Sequence, residues 1–343
     1  MSRRLAEVAR KVGVSEATVS RVLNEKPGVS ETTRNAVLTA LDVLGYERPS
    51  SLRGERARLV GLVLPELQNP IFPAFAEVVS GALAQNGYTP VLCTQTTGGI
   101  SEADYVDLLL SQRVSGVVFS GGAYAETDAS HEHYDRLTEL GLPFVFVNAL
   151  AEGLDVATVS CDDAVAMEQA LVHLHQLGHT QIGLILGPKD HVPSRRKYQA
   201  ALRWGAANGV DFTGSRVIHS LYSLEAGQVA ATRLLQKTDA TAFVCASDLL
   251  ALGAIRAVRR AGLNVPADVS VVGYDDSALM NAVEPPLTTI RQPIETMGRM
   301  VVELLLRQIG EDSATRDEFL FEPELVVRGS TAPMRTRSAR KRE

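Results

Sequence analysis

The sequence predicts an all-α segment at the N-terminus, followed by an α/β body that folds as two doubly wound, Rossmann-like lobes. Residues 1–47 place apolar side chains at helical spacing and contain no β-rich run. From residue 59 onward, short runs rich in Val, Ile and Leu alternate with segments of helix length, which is typical of parallel βαβ units. The chain of 343 residues holds more of these runs than one sheet accommodates, so we expect two lobes.

The N-terminal segment contains a helix-turn-helix pattern. Val8 and Val12 lie on the apolar stripe of a first helix, and Gly13 supplies the turn. Ser15 has the position of an N-cap for a second helix. That helix combines one apolar face with one hydrogen-bonding face, as in helices that enter the DNA major groove. We therefore predict an all-α helix-turn-helix headpiece.

Charge is distributed unevenly along the chain. The formal net charge is −6, which alone argues against nucleic acid as a partner. Residues 1–58 nevertheless hold eleven basic and seven acidic side chains, which gives +4 there and leaves −10 for the remainder. A basic head on an acidic body indicates a DNA-binding unit joined to a separate sensor.

The headpiece resembles that of the LacI-type (lactose repressor) family in LAEVARKVGVSEATVSRVLN, in VSETTR and in a third helix that ends at LGY. The resemblance implies that the second helix binds double-stranded operator DNA, with Glu16, Ala17 and Arg21 facing base edges. Arg21 can donate two hydrogen bonds to guanine, whereas Ala17 offers only apolar contact. The helix dipole also favours an acid at a helix N-terminus, so a capping role stays open for Glu16.

The same resemblance implies a set of contacts to DNA phosphates, which orient the headpiece without reading the base sequence. The residues concerned are Ser15, Thr18, Ser20, Asn24, Ser30, Thr33 and Arg34. Ser30 also fits the N-cap of the third helix, and that purely structural role stays open.

A linker over residues 48–58 follows the headpiece. In the family this segment folds into a hinge helix on the operator, and its leucine enters the minor groove; Leu52 has that position here. The linker is shorter than the usual family pattern, and Gly54 disfavours the helix by roughly 1 kcal/mol. A hinge helix and an irregular linker with Leu52 docked on the protein both stay open.

The body is expected to begin with two series of about five strands, separated by helices. We expect strands at 59–65, 89–95, 116–120, 143–148, 158–162, 181–187, 217–221, 242–247 and 268–275. We expect helices at 72–87, 101–113, 131–140, 163–177, 194–209, 225–236 and 248–262.

The C-terminal part of the body indicates repeated crossing between the lobes. Residues 287–309 and 324–331 add one strand and a helix after the second lobe, as if the chain returned to the first. Such crossovers are typical of a clamshell of the periplasmic-binding-protein type. We expect lobe one at about 59–160 and 290–331, lobe two at about 161–289, and a basic disordered tail at 332–343.

The family resemblance extends through the body, because ASDLLALGAIRAVRRAGLNVPADVSVVGYDDS and PPLTTIRQP are also similar to LacI-type regulators. Ligands of open parallel sheets bind at the carboxyl ends of the strands. That rule selects Asn69, Phe72, Asn148 and Asp162. The resemblance adds Ser247, Asp248 and Asp275, and places a ligand-binding basic residue at Arg196, with Lys197 as the alternative.

An enzyme is the first rival interpretation, and the sequence argues against it. Adjacent acids at Asp162–Asp163 and Asp275–Asp276 do not form a catalytic pair, and no phosphate-binding or nucleophile motif is present. We predict neither a cofactor nor a metal ion. Cys93, Cys161 and Cys245 are expected to be buried free thiols. A transport binding protein, the second rival, lacks the helix-turn-helix and begins with a signal peptide.

A narrower resemblance concerns the ligand. GYERP, NPIFPAFAEVV, GYTPVLCTQT, GPKDHVPSRRK and FEPELVVRGS are present here and are similar to maltose and α-glucoside utilisation repressors of actinobacteria. We therefore expect a homodimeric, cytoplasmic and nucleoid-associated repressor with a maltose, maltodextrin or other α-glucoside effector and no membrane partner. A cellobiose-type sugar, a purine or nucleoside, and action by co-repression stay open.

Overall fold

The computed structural model describes residues 2–23, 26, 28–44, 58–95, 98–150, 153–310 and 317–334. Contacts divide the chain into two compact units, Met1–Arg58 and Leu59–Glu343. Asn24, Leu52, most of the expected linker and the tail from residue 335 lie outside the described residues. Within the described ranges, every helix is too short or too polar to cross a bilayer.

The first unit is a three-helix headpiece. Helix α1 spans Ser2–Val12, α2 spans Glu16–Leu23 and α3 spans Glu31–Val43. Val8, Val19, Val22, Val37 and Leu41 are buried between them and form a small core of their own. The predicted apolar stripes therefore face each other, and the helix-turn-helix prediction is confirmed.

Hydroxyl groups cap the second and third helices of the headpiece. Ser15 Oγ accepts a hydrogen bond from the backbone N–H of Thr18 at 3.1 Å, and Ser30 Oγ accepts one from Thr33 at 3.2 Å. Gly13 has φ +76°, the left-handed conformation that glycine tolerates in a turn. Capping satisfies backbone donors that the first helical turn leaves free, so both predicted N-caps are confirmed.

The second unit contains eight α-helices, two short 3-10 helices and twelve strands within the described residues. The helices are α4 Ile71–Gln85, α5 Glu102–Ser111, α6 Glu132–Glu139, α7 Asp163–Gln176, α8 Val192–Asn208, α9 Leu224–Lys237, α10 Asp248–Arg260 and α11 Ile294–Ile309. The strands are β1 Leu59–Leu64, β2 Thr89–Thr94, β3 Gly116–Ser120, β4 Phe144–Val147, β5 Thr158–Cys161, β6 Ile182–Leu186, β7 Val217–His219, β8 Ala242–Cys245, β9 Ser270–Asp275, β10 Thr288–Arg291, β11 Glu318–Phe321 and β12 Glu324–Val326.

These strands form two six-stranded sheets with the same winding. Lobe one has the order β11-β5-β4-β3-β1-β2, and lobe two has the order β12-β10-β9-β8-β6-β7. All pairs are parallel except β10 with β12, where Thr289 pairs with Val326 in antiparallel register. Central strands such as β3 and β6 are buried along their whole length because helices cover both faces, which explains their continuous apolar sequences.

The sheet topology corrects the expected limits of the lobes. Strands β10 and β12 belong to lobe two, although residues 290–331 were expected in lobe one. Helix α11 and strand β11 do lie in lobe one, where α11 packs on α4 and on β3, β4 and β5. The chain therefore crosses between the lobes three times, after β5, after β10 and after β11. Each return segment is split between the lobes, which periodicity alone does not reveal.

The three cysteines are free and buried, as predicted. Burial raises the pKa of the Cys93 thiol to about 11. Burial is also the largest of the effects that raise the pKa of the Cys161 thiol to about 12.

Helices α9 and α10 pack unusually closely in lobe two, because a glycine of each faces the backbone of the other. A Cβ atom on Gly253 would collide with the carbonyl oxygen of Leu224, and one on Gly227 with that of Leu250. Neither collision can be relieved by rotating a side chain, since the opposing atoms belong to the backbone.

We predict that Gly253→Ala destabilises the protein by about 1–3 kcal/mol, because the added methyl forces the two helices apart. Thermal unfolding of the full chain measures this effect. Gly81→Ala is the matched control: this glycine lies in α4, and a Cβ atom added to it would meet nothing within 4 Å, so better helix propensity should stabilise that variant slightly. Equal melting temperatures for the two variants would contradict the packing argument.

Candidate functional site

A cavity of about 220 Å³ lies between the two lobes of the second unit. In each doubly wound sheet the strand order reverses once, between β1 and β3 in lobe one and between β6 and β8 in lobe two. Segments that follow these strands line the cavity, including Pro65, Ser120, Gly121 and Ser247. The cavity therefore has the position at which open parallel sheets bind ligands.

A chain of amide and carboxylate groups connects the lobes at the cavity. Asn148, which follows β4, accepts a hydrogen bond from the Cys161 backbone N–H at 3.0 Å and donates one to Gln292 Oε1 at 3.3 Å. Gln292, which follows β10, donates to Asp275 Oδ1 at 2.8 Å. Each end of this Asn148–Gln292–Asp275 chain is a non-glycine residue with positive φ, +67° at Asn148 and +118° at Asp275. Such conformations are costly and cluster at functional sites.

Asp275 is the most distinctive acid of the cavity lining. Its side chain is buried, and Oδ2 has no hydrogen-bond partner among the described residues. Burial, followed by the negative charge of Asp248, raises the pKa of Asp275 well above its ordinary range, although the hydrogen bond from Gln292 opposes this shift. An unsatisfied buried carboxyl oxygen can exchange a hydrogen bond with a hydroxyl-bearing ligand, as a donor when the carboxyl holds its proton and as an acceptor when it is ionised.

A buried ion pair forms another part of the lining. Lys197 Nζ of α8 pairs with Asp163 Oδ1 at the start of α7, and both side chains are about 95% buried. Tyr274 contacts both partners: its ring lies 3.9 Å below the ammonium nitrogen, and its hydroxyl donates to Asp163 Oδ1 at 3.4 Å. Burial disfavours the charged ammonium, but the Asp163 carboxylate outweighs this effect and raises the pKa of Lys197.

The two lobes also meet at the rim of the cavity. The Thr127 backbone N–H of lobe one donates to the Asp190 carbonyl of lobe two at 2.9 Å, beside an antiparallel bridge between Glu126 and His191. His191 packs edge-on against Tyr222. Burial, and then the charge of Lys197, lower the pKa of His191 to about 4, so the imidazole is neutral at pH 7.

Six of the nine residues predicted at this site line the cavity. They are Asn69, Phe72, Asn148, Lys197, Ser247 and Asp275. Sequence reasoning missed Asp163, Gln292, Tyr274, Tyr222 and His191, which also line it. Four of these five follow strands or begin helices at the same edge of the sheets, so a wider application of the strand-end rule finds them.

The other three predicted residues lie outside the cavity lining and have structural partners. Arg196 turns to lobe one, where its guanidinium forms a bidentate pair with Glu318 at 2.6 and 2.9 Å. Asp162 caps α7 by accepting from the Ala164 and Val165 backbone N–H groups. Asp248 accepts hydrogen bonds from Thr289 Oγ1 at 2.6 Å and from the Ser277 backbone at 2.7 Å. Lys197, the alternative to Arg196, is therefore the basic residue of the cavity.

The headpiece presents a separate polar surface on α2. Glu16, Ala17 and Arg21 are exposed on this helix, opposite the buried Val19 and Val22. The hydroxyl oxygens of Ser15 and Thr18 lie 2.9 Å apart, and those of Ser30 and Thr33 lie 2.8 Å apart. Ser20 and Arg34 are half-buried. The predicted base-facing residues thus share one accessible face of the helix.

Two family profiles match the chain. Residues 4–49 match bacterial regulatory proteins of the lacI family, and residues 171–331 match the periplasmic binding protein-like domain. The chain is 54% identical to the HTH-type transcriptional regulator reg1 of Streptomyces lividans and 52% identical to the HTH-type transcriptional regulator MalR of Streptomyces coelicolor. In both comparisons 97% of each chain is covered. The chain belongs to the LacI family of bacterial regulatory proteins.

LacI-family proteins of known structure share the architecture described above. The complex of the transcriptional regulator CelR with cellobiose is similar with a TM-score of 0.72 and 32% identity, covering 95% of this chain and 99% of that chain. The lac repressor dimer bound to operator and the anti-inducer ONPF is similar with a TM-score of 0.71 and 28% identity, and the match covers 95% of this chain and 98% of that chain. The helix-turn-helix headpiece and the two-lobed α/β body are therefore those of a LacI-family transcriptional regulator.

The raised pKa of Asp275 predicts a pH-dependent effect of Asp275→Asn on stability. A carboxyl whose pKa is raised in the folded state binds its proton more tightly there, so its contribution to stability is present at low pH and lost as pH rises. The variant has no such group, so its melting temperature relative to the unmodified protein should increase between pH 5 and pH 8. Each kcal/mol corresponds to roughly 2–4 °C.

Asp104→Asn serves as the control for this measurement. Hydrogen bonds from Ser101 lower the pKa of Asp104, so the carboxylate is ionised throughout that pH range. The difference in melting temperature between Asp104→Asn and the unmodified protein should stay constant between pH 5 and pH 8. A constant difference for Asp275→Asn as well would show that Asp275 does not hold a proton in the folded protein.

Proposed function

We propose that this protein is a homodimeric repressor whose affinity for operator DNA is controlled by maltose, a maltodextrin or another α-glucoside bound between the lobes. The observation that carries the proposal is the hydrogen-bonded series Asn148–Gln292–Asp275, which lines the cavity between the lobes. The same protein also bears a helix-turn-helix headpiece. The proposed units are a headpiece at residues 1–47, a linker at 48–58 and an effector-binding and dimerisation body from residue 59.

The DNA-binding part of the proposal rests on the exposed face of α2. Arg21 is proposed to pair with a guanine edge, while Ala17 contacts an apolar base edge. Ser15, Thr18 and their neighbours on α2 and α3 are proposed to hold phosphates. The lac repressor structure with bound operator supports a dimer that places one headpiece on each half-site of a pseudo-palindrome.

The ligand part of the proposal rests on the chemistry of the cavity lining. Asp275 supplies a carboxyl oxygen without a partner in the described part of the protein, and Asn69, Asn148 and Gln292 supply amide donors and acceptors. Phe72 and the tyrosines of the lining offer apolar faces that suit the C–H side of a pyranose ring. The cellobiose complex of CelR supports a saccharide, and 52% identity to MalR together with the α-glucoside-type sequence segments supports maltose or a maltodextrin.

The coupling between the two sites is proposed to act through closure of the lobes. A ligand that binds one arrangement of the lobes more tightly shifts the protein toward that arrangement, and by reciprocity changes its affinity for operator. Changing operator occupancy from 99% to 1% requires about 5.5 kcal/mol of differential affinity, so ligands on both subunits of the dimer are expected to contribute.

The experiment that tests the function is a fluorescence-anisotropy titration of a palindromic operator taken from upstream of the protein's own gene. It is repeated with maltose, maltotriose, cellobiose and adenine. Release by maltose or maltotriose alone is the expected result; release by cellobiose, or tighter binding with adenine, would replace the proposed effector. Asp275→Ala should still bind the operator but lose the sugar response, whereas Asp239→Ala, an exposed acid of lobe two, should retain it.

We predict that Arg21→Ala weakens binding to the specific operator by roughly 1–3 kcal/mol while leaving sugar affinity unchanged, because a guanine contact is lost. Anisotropy with specific and scrambled duplexes at one salt concentration measures the difference. Arg10→Ala removes the same charge from an exposed position of α1 and should affect both duplexes equally. Equal losses on the two duplexes for Arg21→Ala would remove Arg21 from the base-reading set.

A further inference from the structure

The cavity lining is rich in acids and poor in cations. Glu66, Glu126, Asp163 and Asp275 are the acids among its described residues. Lys197 is the only lysine or arginine among them. A phosphate or carboxylate on a ligand needs cationic or backbone N–H partners when it leaves water. What the lining can offer to an anion therefore depends first on whether Lys197 is available.

Lys197 is already committed within the protein. Its ammonium pairs with Asp163 and lies over the face of Tyr274, so a counter-ion and a π-face both stabilise its charge. The exposed fractions of the two paired side chains are 5% for Lys197 and 4% for Asp163. An incoming anion would have to displace a buried carboxylate from this pair, leaving that carboxylate without its partner.

Two basic side chains close to Lys197 in the sequence do not replace it. Arg196, the residue before Lys197 on α8, points to lobe one, where Glu318 binds both ends of its guanidinium. His191 is half-buried near Lys197, and partial burial, followed by the positive charge of Lys197, lowers the pKa of the imidazole. Neither residue presents a free positive charge to the cavity.

Three helix N-termini at the cavity, those of α4, α7 and α10, are also occupied by side-chain acceptors, whereas α8 and α11 begin without a side-chain cap from any described residue. Such N-termini bind anions through free backbone N–H groups. Here Asp162 accepts from the first turn of α7, Ser247 accepts from Leu250 of α10 at 3.2 Å, and Asn69 accepts from Ile71 of α4 at 3.4 Å. In addition, Asp163 and Asp248 place acids in the first turns of α7 and α10, where they compensate the helix dipoles.

From these contacts we propose that the cavity accepts uncharged polyhydroxyl ligands and rejects the phosphorylated or carboxylated forms of the same sugars. The Asp163–Lys197 pair is the specificity-determining element, because it neutralises the cation that would otherwise receive an anionic group. This inference rests on the proposed function, since it concerns the ligand of the same cavity, but it does not depend on which neutral sugar is the effector.

The experiment compares matched neutral and anionic sugars on the full-length protein by isothermal titration calorimetry at constant ionic strength. The pairs are maltose with maltose 6′-phosphate, cellobiose with cellobiose 6′-phosphate, trehalose with trehalose 6-phosphate, and glucose with glucose 6-phosphate and with glucuronate, all of which keep the pyranose rings closed. In at least one pair the neutral member should bind, with its anionic partner at least about tenfold weaker. Binding of an anionic member equal to or tighter than its neutral partner would overturn the inference, as would a panel in which no neutral member binds.

The panel separates this inference from the proposed effector. If cellobiose or trehalose binds and maltose does not, the α-glucoside proposal fails and the charge selectivity stands. If maltose and maltose 6′-phosphate bind equally, the α-glucoside proposal stands and the charge selectivity fails.

A variant then assigns the selectivity to the ion pair. Asp163→Asn keeps an oxygen acceptor near Lys197 but removes the counter-charge, so the preference for the neutral member of a pair should shrink by at least about tenfold. Asp239→Asn removes one exposed acid from lobe two and should leave the preference unchanged. Folding of each variant is verified by thermal unfolding, and the result on the unmodified protein tests the selectivity even if Asp163→Asn does not fold. An unchanged preference in folded Asp163→Asn would remove the pair as its cause.

Discussion

The hydrogen-bond chain from Asn148 through Gln292 to Asp275 is the constraint on which the arrangement of the second unit depends. Asn148 ends a strand of lobe one, Gln292 lies where the chain crosses between lobes, and Asp275 ends a strand of lobe two. The chain thereby holds two strained backbone conformations in place, at Asn148 and at Asp275. A ligand that contacts both ends interacts with groups from both lobes at once, which is what a closure-driven response requires.

The repeated winding of the two sheets explains why the polar groups meet at one place. Each lobe reverses its strand order at an equivalent position, and both reversals face the same cavity. Three crossings of the chain connect the lobes without a long linker, while Arg196 and Glu318 add an ion pair between α8 and β11. The strand ends of both lobes therefore supply the polar groups of the cavity lining, and the three crossings and the Arg196–Glu318 pair connect the lobes around it.

Much of this organisation could be predicted from the sequence, because strand and helix periodicities are strong in buried parallel sheets. The strand-end rule and the family resemblance together placed Asn69, Asn148 and Asp275 correctly on the cavity lining. They could not decide between Arg196 and Lys197, since adjacent helical residues point about 100° apart and only the position of Asp163 selects the inward one. The antiparallel pairing of β12 in lobe two was equally inaccessible, because strand pairing depends on contacts between distant segments.

The burial of the three thiols has a consequence for the signals to which this regulator responds. Oxidants and electrophiles react with the thiolate, and burial keeps Cys93, Cys161 and Cys245 in the protonated form at neutral pH. Cys161 ends a strand at the cavity and donates its backbone N–H to Asn148, so modification of its sulfur would disturb the inter-lobe bonds. Burial of these thiols in the protonated form therefore makes them poor targets for oxidants and protects the hydrogen bond at Cys161 from modification of the sulfur.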